Sequence, residues 1–288
     1  TREEAETIKN ENLEFREEGA GPEESNHAMR ALRRPLEVVL SKNQITGGGL
    51  QVRTSIDLTI QQGLEKLVRE VRLSSELQMA AVAIDPGSGD ILGIVGCRDE
   101  TPTGFNRALD ARRDLGIRMC EPLIGTIALE RGHLPIKGNP VATGRQLETD
   151  DAIGLLKRFG LDGIFGKGDD LYRGSLSVSP LALATAYATI VNKGQRPEAI
   201  FVKEVLENEE PLFSREASFF PAFAPHANLA VRPEFLSGTS LPGTDYWAAT
   251  LSPEKVVVIW IGRDRPERFD LPEGTRLGLE AQLRALGR

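Results

Sequence analysis

Residues 79–96 read MAAVAIDPGSGDILGIVG, two apolar runs joined by a Pro-Gly-Ser-Gly turn, and no other stretch restricts the fold so tightly. The pattern predicts an antiparallel hairpin. Three more strand-like pieces stand near the other end of the 288 residues: FLSGTS from Phe235, TDYWAATL from Thr244 and KVVVIWIGRDRP from Lys255. Strands at both ends with helices between them predict an α+β fold. Its centre would be an antiparallel sheet of roughly five strands, flanked by helices and joined to a helical subdomain.

The intervening segments carry helix signals. Residues 104–132 read GFNRALDARRDLGIRMCEPLIGTIALERG, and Met119, Leu123 and Ile127 fall on one helical face with Ile124 and Ala128 beside them. Gly132 supplies the stop, and Arg131 stands in the last turn, where a cation suits the dipole. Thr149 is expected to cap a helix to about Phe159, and Ser179 followed by Pro180 opens another that Gly194 ends. Upstream, Leu50, Val52, Thr54 and Ile56 alternate as a half-buried strand. Asp57 or Thr59 then caps a helix, with a Thr59–Gln62 capping box and a buried stripe of Ile60, Leu64, Leu67 and Val71. Ala199 to Leu206 reads as a strand. Phe213 to Pro233 has no clean period and reads as loop.

The first residues read as a short helix with a Thr1–Glu4 capping box and an acidic loop, and a second helix is expected from about Asn26 to Lys42 with Pro35 bending it. Gly47-Gly48-Gly49 breaks the chain. The expected division is a connector, 1–47, and one large domain, 48–288. The net charge of −7, with Lys and Arg scattered, argues against nucleic acid as a partner. The longest apolar run, VVVIWI from Val256, falls far short of the ~20 residues of a spanning helix. The chain opens on Thr1 and is expected to be a processed or excised piece of a longer protein. Cys97 and Cys120 are too few for a disulfide framework or zinc site, and buried thiols are expected rather than a pair. His27, His133 and His226 lie apart without ligand spacing, so neither a metal nor a cofactor is indicated.

Phe105-Asn-Arg-Ala108, Ala111-Arg-Arg113, a Gly, and then Pro122 on an apolar helix ending in Ala-Leu-Glu-x-Gly resemble the nucleophile region of penicillin-binding transpeptidases. The hairpin, the strand and helix from Gly48 to Val71, VSPLALATAYATIVNKG from Val178, and the last three strands resemble that family in the same order. The likeness covers 48–288. Residues 1–47 resemble the end of the glycosyltransferase module and the connector in class A, bifunctional, members. The fold implied is that of the penicillin-binding transpeptidases and β-lactamases.

Serine acyl transfer needs a nucleophilic hydroxyl, a base to take its proton, and donors for the oxyanion. The family sets Ser-x-x-Lys-Pro at the start of the central helix. With Pro122 matched to that proline, the two catalytic positions are Arg118 and Glu121, which can neither attack a carbonyl nor play the amine's part. Arg118 and Glu121 stand three apart and read as an ion pair or as two unrelated surface charges. The Ser-x-Asn motif matches Lys137-Gly138-Asn139, and Asn139 before Pro140 is equally a turn residue. The Lys-Thr-Gly-Thr motif matches Leu236-Ser237-Gly238-Thr239, with leucine in place of the lysine. Ser252-Pro-Glu-Lys255 lies in a turn between strands, and Ser41-Lys-Asn43 reads as helix-end chemistry. Cys120 is the remaining candidate nucleophile.

The resemblance with its motifs lost implies a catalytically inactive transpeptidase-like domain with a structural, regulatory or docking role. It would stand beside an upstream peptidoglycan glycosyltransferase, on the extracytoplasmic face of the bacterial inner membrane. Peptidoglycan, its precursors and envelope proteins are the partners implied, with membrane attachment expected only through an N-terminal anchor upstream in the parent chain. The alternatives are an active D,D-transpeptidase or carboxypeptidase with an unorthodox nucleophile, and a receptor that binds peptide or glycan in the old cleft.

Overall fold

The computed structural model describes residues 26–98, 105–225 and 234–287. Helices α1 (Asn26–Val39) and α2 (Lys42–Gly47) lead into strand β1 (Leu50–Thr54) and helix α3 (Leu58–Glu70). The hairpin follows as β2 (Gln78–Ile84) and β3 (Ile91–Val95). Next come α4 (Arg107–Asp110), β4 (Arg113–Asp114) and the central helix α5 (Ile117–Glu130). Helices α6 (Pro140–Gly144), α7 (Thr149–Arg158) and α8 (Asp169–Tyr172), strand β5 (Ser177–Val178) and helix α9 (Pro180–Val191) complete the helical block. Four outlying strands are β6 (Gln195–Pro197), β7 (Val202–Glu207), β8 (Glu210–Ser214) and β9 (Phe219–Pro221). The chain ends with β10 (Phe235–Thr239), β11 (Asp245–Leu251), β12 (Val256–Gly262) and α10 (Glu273–Gly287).

The main sheet has five antiparallel strands in the order β10-β11-β12-β2-β3. This is the α+β arrangement expected from strands at both ends. Each central strand sends alternate side chains to opposite faces, as the pleat requires. In β12, Val256, Val258 and Trp260 enter the core shared with α1, α5, α7 and α9. Val257, Ile259 and Ile261 enter the one shared with α3 and α10. Trp247 and Trp260 are fully buried on the first face. A side chain of that size removes enough area to contribute roughly 4–6 kcal/mol before entropy is charged against it. Ala28, Ala31, Leu32, Leu36 and Leu40 of the expected connector belong to that same core.

Strand β1 lies outside the main sheet, in a three-stranded sheet of order β1-β7-β8. The edge of β3 is closed by a side chain. Gln61, buried in α3, accepts the Ile94 N–H at 2.7 Å and donates to the Ile94 carbonyl at 3.0 Å.

Several local expectations need correction. Asp57, not Thr59, caps α3: its carboxylate accepts the Thr59 and Ile60 N–H groups, and no Thr59–Gln62 box forms. The α3 stripe is Gln61, Leu64, Leu67 and Val68, with Ile60 only partly buried and Val71 just beyond the helix. Thr149 is the first residue of α7 rather than its cap, which falls on Glu148 without a side-chain bond. The strand expected from Ala199 begins at Val202. Within Phe213–Pro233, Phe213 and Ser214 end β8 and Phe219–Pro221 form β9 against β6, so the segment is not all loop. Its part from 226 to 233, like the Thr1–Glu4 box, lies outside the described residues. Ser41 caps α2 in a reciprocal box with Gln44, as helix-end chemistry. Ser179 caps α9 by accepting the Ala182 N–H.

Candidate functional site

The central helix α5 is exposed at its first residues, Ile117 and Arg118, and is anchored beyond them by the buried Met119, Leu123, Ile124, Ile127 and Ala128. Its first turn meets the end of β10 with almost no gap. Gly116, the N-cap, has φ 78°, and a Cβ there would stand 2.1 Å from the Thr239 carbonyl oxygen. Glycine is required twice over, by backbone region and by space. One step further, a Cβ on Gly238 would reach within 3.0 Å of Arg118 Cβ. Pro122 has no N–H to give the Arg118 carbonyl, which loosens the first turn.

Arg118 and Glu121 are brought together. The Glu121 carboxylate lies 3.8 Å from the Arg118 guanidinium, the two side chains being 13% and 60% exposed. The other carboxylate oxygen accepts the Gly138 backbone N–H at 2.7 Å. Such a pair on an exposed helix turn is worth roughly 0.2–0.5 kcal/mol. A charge-assisted bond to a backbone donor is worth about 1.5–3 kcal/mol, so Gly138 is the stronger partner. The carboxylate therefore ties α5 to the loop that carries the second motif.

The rest of the motif positions divide. Lys137 and Asn139 are exposed on that loop. The Asn139 carboxamide accepts the Ala142 N–H at 3.0 Å and caps α6, so the residue serves as a helix cap. On β10, Leu236 is buried in the core shared with α5. Ser237 faces the other way: its hydroxyl donates to Glu280 of α10 at 2.9 Å, alongside Tyr246. Strand alternation therefore puts Leu236 and Gly238 toward α5 and takes Ser237 out of the cleft. Thr239 is exposed at the strand end, with its carbonyl against Gly116.

Neither displaced candidate joins the group. Cys120 is fully buried, with its Sγ 3.2 Å from the Tyr172 carbonyl. Burial, reinforced by the neighbouring Glu121 charge, pushes its thiol far above the ordinary value, opposite to what a nucleophile needs. Neither Cys97 nor Cys120 is in a disulfide. The Ser252 hydroxyl is engaged with the backbone of Lys255, closing the β11–β12 turn. Among the described residues no cluster of His, Cys, Asp and Glu has the geometry of a metal site, and no helix is long and apolar enough to cross a membrane.

Sequence reasoning missed two contributors. Gly138 supplies the backbone donor that holds Glu121, and nothing in the local sequence announces it. Asp245, at the start of β11, is buried and accepts Trp260 Nε1 at 2.9 Å and Thr244 Oγ1 at 2.6 Å. Ser240 donates to the same carboxylate at 3.2 Å, which fixes the turn following β10. A buried acid beside two hydroxyl residues in Ser-x-x-x-Thr-Asp is the readable trace of that cluster.

No protein-family model matches the chain. Penicillin-binding protein 2D of Bacillus subtilis is 26% identical over 63% of this chain and 32% of the relative. Penicillin-binding protein 1B of Escherichia coli is 21% identical over 82% of this chain and 37% of the relative. The chain thus spans about a third of the length of the curated relatives it matches. Among solved structures, penicillin-binding protein 1A from Haemophilus influenzae superposes with TM-score 0.77 and 13% identity, over 99% of this chain and 73% of that one. PonA1 from Mycobacterium tuberculosis in complex with penicillin V gives TM-score 0.73 and 16% identity, over 90% and 91%. The fold is that of the penicillin-binding transpeptidases.

Proposed function

We propose that the chain is a catalytically inert transpeptidase-like domain of a peptidoglycan-building penicillin-binding protein. One observation carries this reading. Where the fold would set a nucleophilic serine and its lysine, Arg118 and Glu121 stand, engaged with one another and with Gly138. Acyl transfer requires a hydroxyl or thiolate poised beside a base, and neither side chain is a nucleophile that a base could activate. Lys137 replaces the second serine and Leu236 the third-motif lysine, which removes the cation that would draw a substrate carboxylate.

The role that follows is structural, regulatory or docking, beside a peptidoglycan glycosyltransferase in a longer parent chain. Residues 1–47 would be the connector from that module and 48–288 the transpeptidase-like domain. The site of action would be the extracytoplasmic face of the bacterial inner membrane, with peptidoglycan, its precursors or envelope proteins as partners. The fold and the penicillin-binding relatives support the placement. The test is incubation of the purified chain with a fluorescent penicillin, followed by gel fluorescence and intact-protein mass. No adduct is expected. A covalent mass increase equal to the drug would overturn the reading.

A further inference from the structure

The Glu121 carboxylate occupies the cleft in a way that its chemistry makes specific. One oxygen accepts the Gly138 N–H at 2.7 Å, and the other lies 3.8 Å from the Arg118 guanidinium. The backbone N–H makes a charge-assisted hydrogen bond and the guanidinium a longer ion pair, so both favour a carboxylate at this point and the N–H fixes where it sits. The close approaches of Gly238 to Arg118 and of Gly116 to the Thr239 carbonyl set the first turn of α5 against the end of β10. The loop bearing Gly138 is further held from within: the Asn139 side chain caps α6, and the Thr143 hydroxyl accepts the Ile136 N–H at 2.8 Å. These bonds hold the loop on either side of Gly138 independently of Glu121.

From this we infer that Glu121 is an internal ligand of the cleft, an autoinhibitory carboxylate covering a small carboxylate-binding site made by Gly138 N–H and Arg118. The inference rests on the inert-domain reading, because it takes Glu121 as a resident of the cleft rather than part of a reacting pair. With Glu121 in place an external carboxylate meets filled donors and a like charge. With the carboxylate removed, the same donors face solvent and accept an anion from outside. The ligand class is a monocarboxylate; a neutral amide of the same shape can accept the Gly138 N–H through its oxygen but gains no charge attraction from Arg118, and binds more weakly.

The test uses the full chain and follows the Gly138 amide resonance in heteronuclear NMR during titration with benzoate, and with benzamide as the neutral control. In the wild type neither should move it. In Glu121→Ala, benzoate should shift it saturably, with affinity at least about tenfold above the wild type. Adding Arg118→Ala should abolish that gain. Glu121→Ser, which also withdraws the carboxylate, serves should the alanine variant fail to fold; it should bind benzoate more tightly than the wild type. Equal benzoate response in wild type and variants, or no response in a folded Glu121→Ala or Glu121→Ser protein, overturns the inference. Penicillin adduct formation bears on the inert-domain reading alone, so the two failures are distinguishable.

Discussion

The carboxamide of Gln61 brackets the backbone of Ile94, accepting its N–H at 2.7 Å and donating to its carbonyl at 3.0 Å. A helix side chain thus stands in for the strand that would otherwise have to pair with β3. Both backbone groups lie in a buried environment, where an unmet donor or acceptor costs about 1–3 kcal/mol. Gln61→Ala should lower the unfolding free energy by about 2–4 kcal/mol in urea titration. Gln61→Glu would bury a carboxylate against the Ile94 carbonyl and the Glu65 carboxylate, both now met by the Gln61 amide, and should be at least as destabilising as Gln61→Ala at neutral pH.

Gly116 predicts the harshest single substitution. Its φ of 78° and the Thr239 carbonyl in the place of a side chain act together. Gly116→Ala should destabilise the protein by about 3 kcal/mol or more. Gly154→Ala, in a helix with open space around the new methyl, should be neutral to stabilising, by up to about 1 kcal/mol. Thermal unfolding of the two variants side by side checks the contrast.

Alkaline pH should weaken the fold. Burial raises the ionisation of Cys120, Tyr187 and Tyr246 above their ordinary values of 9.0, 10.0 and 10.0, with Glu280 adding to the effect at Tyr246. In the unfolded chain these groups lose protons at the ordinary values, while the folded chain still holds them. The contribution is fully present below about pH 9 and declines as pH rises beyond it. Melting temperature should therefore fall from about pH 9 upward, and Cys120→Ala should make the onset of that fall less steep. The same burial predicts that a thiol reagent modifies Cys120 only as fast as the protein opens.

Asp245 should be intolerant of truncation. Its carboxylate meets the Trp260 indole and two hydroxyls in a buried pocket. Asp245→Ala leaves these donors without an acceptor and should cost at least about 2 kcal/mol, measured by chemical denaturation. Asp245→Asn keeps an oxygen for Trp260 and should cost less.

Local signals carried most of the fold. The 79–96 hairpin, the stripe of α5 and the Ser179 cap each depend on residues a few positions apart, and each formed as expected. What failed depended on distance. Whether Asp57 or Thr59 begins α3 turned on which oxygen reached the N–H groups, and β9 exists because β6, some twenty residues earlier, offers a partner. Gln61 is absent from the expected α3 stripe because the backbone partner that makes it a buried residue is 33 residues away. In the cleft, motif matching set Ser237 beside Gly238. The two-residue period of a strand already separates them, since neighbours on β10 face opposite sides. The Arg118–Glu121 pair was readable from helical spacing; the Gly138 donor was not, because a backbone group leaves no mark in sequence.

The packing of α1 bears on how the domain would respond to load. Leu32, Leu36 and Leu40 are seated in the same core as Trp247 and Trp260, and α1 lies against β3 and β7. Gly48 and Gly49, which follow α2, therefore do not act as a swivel. A pull or twist applied at α1 itself would travel through interlocked side chains into the sheet, so helix and sheet would move as one stiff lever.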